Sequence, residues 1–291
     1  MPGKTRAQRK KNTFHIIDSL SNKPVTTSVT IVRAKLFITT ENDGIFVIPG
    51  DLSAMRDTII FNAQSYEPLK MTLHDLDGRD IIKLKKYEIA QAPPGLNFKN
   101  DTLLNDFDRD KVEYYAGIST GTEVFNYRQL AQKFTLKNSG VKLTGAKIIR
   151  LVFNAYYEEQ HTKYRLRIYD VDNRTGGPGK DLASEVIEIS SSDGQQNNAN
   201  LKKYNIIIPN KTFFIAIEWM RDYHNASFTE IYEPKQYKSV KIESYKPTIG
   251  LSPIQGKELN IWAMNFKGEW KPYTYFMPFG TDTAIKAVVE Y

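Results

Sequence analysis

Apolar and polar residues alternate along most of this chain with a period of two, and no long window holds the 3.6-residue period of an amphipathic helix. Val29, Ile31 and Arg33 alternate with Thr30, Val32 and Ala34, and Leu69, Met71 and Leu73 alternate with polar neighbours. Tyr164, Leu166 and Ile168 face one way while Arg165 and Arg167 face the other. Phe213, Ile215, Ile217 and Trp219 line one side of a further segment, and Ile285, Ala287 and Val289 one side of the last. Such patterning, rich in β-branched and aromatic residues, predicts many short strands. The clearest local signal runs from Leu36 to Ile48, where two strand-like runs flank Glu41-Asn42-Asp43-Gly44. Asp-Gly supplies the positive φ angles of a tight turn, so a β-hairpin is predicted there. Ser190 to Asn200 is polar and low in complexity and predicts an exposed loop.

The strand pattern loosens between Tyr87 and Asp110, where Gln-Ala-Pro-Pro-Gly reads as a turn or a stiff linker. Four segments follow: a basic disordered tail (1–12), a first β-sandwich (13–90), a linker (91–110) and a second β-sandwich (111–291). The expected fold class is all-β, and the size of the second sandwich suits a jelly roll.

Charge changes the picture only at the N-terminus. Five of the seven net positive charges are Lys4, Arg6, Arg9, Lys10 and Lys11, which leaves +2 for the rest. A near-neutral body with a basic arm is a poor nucleic-acid binder, and no nucleic acid is expected as partner. Cysteine is absent, which excludes thiol catalysis, cysteine-held zinc and disulfides. No apolar run has the length of a membrane-spanning helix. The basic start runs directly into Asn12-Thr13, without the apolar core of an export signal. Both a mature exported chain and an internal protein fit that start.

Asp18, Pro24 and Val29, then Thr40-Glu41-Asn42-Asp43-Gly44-Ile45-Phe46, then Asp57-Thr58-Ile59-Ile60-Phe61 and Ser65-Tyr66 form a pattern. On these residues the stretch from Thr13 to about Leu84 resembles the carboxypeptidase-regulatory-like domain. It departs from that family at Glu41, where Asp or Asn is usual, and at Ser65, where Gly is usual. The resemblance implies a seven-stranded, transthyretin-like sandwich with no catalytic residues of its own. It also implies an N-terminal module of an envelope protein of Gram-negative bacteria, in the periplasm, at the outer-membrane surface or outside the cell. Ala131-Gln132-Lys133-Phe134, Tyr169-Asp170 with Pro178 to Leu182, and Phe213 to Trp219 are similar to the region that follows this domain in such proteins.

Four constellations are candidates for chemistry. Gly117-Ile118-Ser119-Thr120-Gly121 has the spacing of a nucleophile elbow, and Asp170 or Asp172 and then His224 follow in hydrolase order. That chemistry requires a strand-to-helix turn in a parallel sheet, which an antiparallel β pattern does not offer. Asp106, Asp108 and Asp110, and separately Asp170, Asp172 and Asn173, are candidate Ca²⁺ ligands, against the plainer reading of solvated loop acids. The histidines His15, His74, His161 and His224 provide no zinc motif, and His15 and Asp18 point to opposite faces of a strand. Finally, Trp262, Glu269, Trp270, Tyr273 and Tyr275, with Asn260, Asn265 and Phe266 nearby, combine aromatic platforms with amide and carboxylate groups, as sugar sites do. Trp219, Tyr223 and His224 form a smaller cluster. The expected protein is a non-catalytic envelope binding or scaffolding protein without cofactor, whose partner is a glycan or another envelope protein. A hydrolase using Ser119 with His224, or a Ca-stabilised adhesion module, is the alternative.

Overall fold

The computed structural model describes residues 12–49, 52, 56–89, 98, 100–152, 161–191, 194–233, 238–254, 258–277 and 280–291. Most of the basic tail, Pro93-Pro94-Gly95 and Asn154-Ala155 lie outside these residues. The protein is all-β and divides into two compact units, residues 1–87 and 88–291.

The first unit places seven strands in two sheets: β1 (Thr13–Asp18), β2 (Thr27–Ile31), β3 (Leu36–Thr39), β4 (Ile45–Val47), β5 (Thr58–Ala63), β6 (Leu69–Thr72) and β7 (Ile81–Leu84). One sheet has the order β4-β1-β7, the other β3-β2-β5-β6. Between them Phe14, Ile16, Phe46, Phe61, Val29, Ile31 and Ile82 are buried, and Phe46 meets Phe61 edge-on at 6.1 Å. Each such side chain contributes roughly 1.5–3 kcal/mol when it leaves water.

The stretch from Leu36 to Ile48 is not a hairpin. β3 pairs with β2 and β4 pairs with β1, so the connection from Thr40 to Gly44 carries the chain from one sheet to the other. The turn signal was correct and the pairing was not: Leu36 and Ile38 pack on the core from one sheet and Phe46 is buried in it from the other. Gly44 has φ +66° and its carbonyl accepts the N–H of Ile16, so close that a Cβ would strike the Ile16 carbonyl. Only glycine fits there.

The resemblance motif has a mechanical explanation. The Asp18 carboxylate closes its own turn, accepting the N–H groups of Leu20 and Ser21 at 3.0 and 2.6 Å and the Ser21 hydroxyl. Those bonds, the Ser21 N–H foremost, hold its pKa below the usual value. Tyr66 donates to the same carboxylate, and burial together with the Asp18 charge pushes the phenol up to about 12. Asp57 accepts the N–H groups of Arg33, Ala34 and Thr58, fixing the β2–β3 turn to the start of β5. Ser65, which replaces the glycine of the family pattern, is buried at φ +65°.

The second unit contains β8 (Asp101–Leu104), β9 (Tyr115–Ser119), β10 (Gln129–Thr135), β11 (Val141–Ile149), β12 (Thr162–Val171), β13 (Pro178–Asp181), β14 (Ile187–Ser191) and β15 (Gln196–Asn200). These are followed by β16 (Ile206–Ile208), β17 (Thr212–Trp219), β18 (Ala226–Glu233), β19 (Lys238–Gly250), β20 (Ile261–Met264), β21 (Trp270–Pro272) and β22 (Ile285–Glu290). The main sheet runs β13-β12-β17-β10-β20-β21 with β14 also on β12; a second runs β15-β11-β22-β8 with β16 on β11; a third is β18-β19-β9. Leu130, Phe134, Tyr164, Leu166, Ile168, Phe213, Ile215, Ile217 and Trp219 of the main sheet join Leu143, Ile148, Ile285 and Val289 of the second in one core. Trp219 lies on the inward face, its indole N–H bonded to the Pro247 carbonyl at 2.8 Å.

Two expectations change here. Part of the expected linker is strand β8, whose partner is the last strand, β22. The expected loop at Ser190 to Asn200 supplies the end of β14 and all of β15, which belong to different sheets. Asn197 is buried and accepts the Tyr164 hydroxyl at 2.9 Å, so amide side chains substitute for apolar ones where the chain crosses the sandwich edge.

At Ser65 a Cβ carries the cost of a left-handed backbone that glycine avoids. Ser65→Gly is therefore expected to be more stable than Ser65→Ala by about 1 kcal/mol, read from urea unfolding of the first unit followed by amide exchange in β1. Equal midpoints would contradict the strain.

Candidate functional site

Register assigns the outer face of the main sheet. Opposed residues share a face, so Trp262 with Ala131 and Pro272, Met264 with Gln129 and Trp270, Ala216 with Ala131 and Arg167, Phe214 with Tyr169, and Glu218 with Gln129 and Arg165 all point away from the core. Trp262 and Trp270 thus stand on one surface, both half-buried. Trp270 meets Tyr169 edge-on at 5.5 Å and Trp262 meets Phe214 edge-on at 6.1 Å. Small residues, Ala131 and Ala216, make room for the indoles. The Asp172–Gly177 turn lies against the Trp262 ring, where a Cβ on Gly177 would come within 2.5 Å of it. Next to Trp270 the Asn265–Glu269 turn is closed by Asn265, whose side-chain oxygen accepts the N–H groups of Lys267 and Glu269 while its amide donates to the Glu269 carboxylate at 2.9 Å. Two indoles flanked by an exposed carboxylate and an amide are the groups a sugar ring requires for stacking and hydrogen bonding.

Tyr273 and Tyr275 do not join them. Tyr273 packs on Tyr127 and Phe276 at 5.4 and 4.9 Å, bonds the Val124 carbonyl through its hydroxyl, and lies half-buried against the main core. Tyr275 is exposed and meets Phe125 at 5.0 Å. Asn260 donates to Asp282, beside the buried Gln132. The five expected residues therefore separate into Trp262, Glu269 and Trp270 in one place and the two tyrosines in another.

Beneath the indoles lies a group that the strand pattern did not reveal. The alternation puts Arg165 and Arg167 on the face opposite Tyr164, Leu166 and Ile168, and there both are buried together with Asp181 and Glu218. Arg167 bonds Asp181 at 2.5 Å through Nε and Glu218 at 3.1 Å through Nη1. Gln129 donates to Glu218 at 3.1 Å and accepts the Tyr169 hydroxyl at 2.8 Å. Burial opposes the Arg167 charge, yet its neighbours more than offset it and hold its pKa well above the usual arginine value. Arg128, also buried, is pushed down to about 10 by desolvation, with Glu218 opposing. The available signal was charge placed between apolar residues: Glu218 sits between Ile217 and Trp219.

The other candidates disperse. Ser119 ends an antiparallel strand, its Oγ accepts the Gly121 N–H at 3.3 Å, and no helix follows. Exposed His224 stacks edge-on with Tyr223 at 6.0 Å, and no hydrogen bond joins it to Ser119. Asp106 pairs with Lys286, Asp108 caps a short turn, and Asp110 pairs with Arg109. Asp170 accepts the Asn210 amide and Asp172 the Arg174 N–H, the latter bond lowering the Asp172 pKa. Among the described residues no three acids or histidines gather into a metal-binding group.

No family model and no curated protein matches the chain. Among solved structures it is similar to a clostridial cysteine protease, Cwp84 after propeptide cleavage, at 11% identity over 97% of this chain and 70% of that one, with a TM-score of 0.37. A likeness that faint carries no functional argument.

Arg167→Met leaves two carboxylates buried without their counter-charge and is expected to cost about 3–5 kcal/mol, part of which Asp181→Asn and Glu218→Gln should restore in the triple variant. Urea denaturation measures both. A single variant within about 1 kcal/mol of the parent would show that water reaches the group.

Proposed function

We propose that this protein is a non-catalytic binding or scaffolding protein whose second unit recognises a glycan on the outer face of its main sheet. The observation that carries this reading is the placement of Trp262 and Trp270 on one surface, each half-buried, with the Asn265-braced Glu269 beside them. Ring edges are held by Phe214 and Tyr169, so the indoles are positioned in advance and lose little freedom when a ligand stacks on them. Tyr273 and Tyr275 contribute packing in this reading, not contact.

The first unit serves as a rigid module. Its resemblance to the carboxypeptidase-regulatory-like domain supports this, as do seven strands in a three- and a four-stranded sheet, with Asp18, Tyr66 and Asp57 engaged in turns. The same resemblance favours a bacterial envelope protein. No helix among the described residues is long and apolar enough to cross a membrane.

A glycan array probed with the parent and with Trp270→Ala and Trp262→Ala tests the site. Each substitution is expected to weaken the strongest signal about tenfold or more, and Tyr275→Ala to leave it unchanged. Binding that survives both tryptophan changes would reject the assignment.

A further inference from the structure

Among the described residues, no strand pairs with the outer side of β18 in the third sheet of the second unit. β18 is eight residues long, whereas β8, β13, β14, β15, β16 and β21, which flank the other two sheets, run three to five. It pairs with β19 through eight consecutive residues without a bulge, and its sequence, Ala-Ser-Phe-Thr-Glu-Ile-Tyr-Glu, has neither the proline nor the lysine that usually blunts an edge.

The direction of its main chain follows from two hydrogen bonds. The Lys246 N–H donates to the Asn225 carbonyl at 2.9 Å, so Asn225 and Lys246 form a bonded pair at the start of the ladder. Antiparallel pairs alternate, which makes Ser227 and Ser244 the next bonded pair and turns the N–H and C=O of Phe228 and Glu230 away from β19. The Glu243 carbonyl, opposite Phe228, accordingly reaches outward on its own side to the Thr120 N–H. On the β18 side no main-chain group among the described residues pairs with Phe228 or Glu230.

Side chains add selectivity to this edge. Phe228 is 68% exposed. The Glu230 carboxylate is exposed, with Lys241 3.8 Å away. A cavity of about 360 Å³ borders Ser227, Phe228 and Glu230 and extends to Tyr245, Pro247 and Arg150. Outward N–H and C=O groups spaced along an extended strand match another extended backbone, and a neighbouring cavity takes one of its side chains.

We propose that β18 docks an extended polypeptide segment of a partner protein, which adds as a fourth strand beside β18. The segment places an apolar residue against Phe228, a basic residue against Glu230 and a further side chain in the cavity. This edge is separate from the tryptophan face, so the two functions fail independently.

The test uses the full chain and a random peptide display library, with enriched peptides resynthesised and titrated by fluorescence anisotropy. Enriched sequences are expected to carry an apolar residue two positions from a basic one and to slow amide exchange at Phe228 and Glu230. Glu230→Pro deletes an outward N–H while sparing the hairpin's own bonds, so it is expected to weaken binding about tenfold or more, with a melting temperature within about 2 °C of the parent. Glu230→Lys, which keeps the main chain, is expected to weaken binding of the basic peptides in case the proline variant unfolds. The proposal is overturned if no peptide binds more tightly than about 1 mM, or if both variants bind as the parent does. It is also overturned if the free chain dimerises through this edge and Glu230→Lys abolishes the dimer, because a second copy then occupies β18.

Discussion

Arg167 is the point on which the second unit turns. A strand that buries both faces must put something on its outer side, and here that is a guanidinium shared between Asp181 of β13 and Glu218 of β17. Because the two acids come from the strands on either side of β12, one side chain ties three strands together. Glu218 then orients Gln129 of β10, and Gln129 orients Tyr169, whose ring supports Trp270. Buried ionic groups are weak sources of stability but strong sources of register, since a slip by one residue would leave charges without partners. The position of the indole thus descends, bond by bond, from the salt bridge.

The two units solve the same problem by different means. In the first, the sheets meet through aliphatic and phenyl packing, the buried polar residues of β2 are the small hydroxyls Thr27, Ser28 and Thr30, and Asp18 and Asp57 satisfy main-chain N–H groups at turns. In the second, polar residues enter the structure itself, as the Gln132–Asp282–Thr283 group and the Tyr164–Asn197 pair also show. The first arrangement suits a rigid spacer. The second creates a surface with fixed aromatic rings.

Much of the architecture was legible in the sequence because alternation at a period of two is a direct physical consequence of a half-buried sheet. It placed Trp219 inward and recognised the all-β class. What alternation could not reveal is partnership. The turn at Asp43-Gly44 is a real turn, yet its flanking strands belong to different sheets, a fact set by core packing on β1 and not by local residues. Arg165 and Arg167 obey the alternation, yet their face is covered, which alternation alone does not reveal. Tyr273 and Tyr275 lie close in sequence to Trp270 but pack elsewhere, because β21 ends at Pro272 and Tyr273 then turns toward the core.

The proposed glycan reading gives the three tryptophans of the chain unequal roles: Trp219 lies in the core, and Trp262 and Trp270 lie on the outer face of the main sheet. Their indole N–H resonances can be followed separately by nuclear magnetic resonance while the full chain is titrated with the oligosaccharide it binds best. The account predicts that the Trp262 and Trp270 signals move together with saturation while Trp219 stays in place. Saturating binding that leaves both of those indoles unmoved would contradict it.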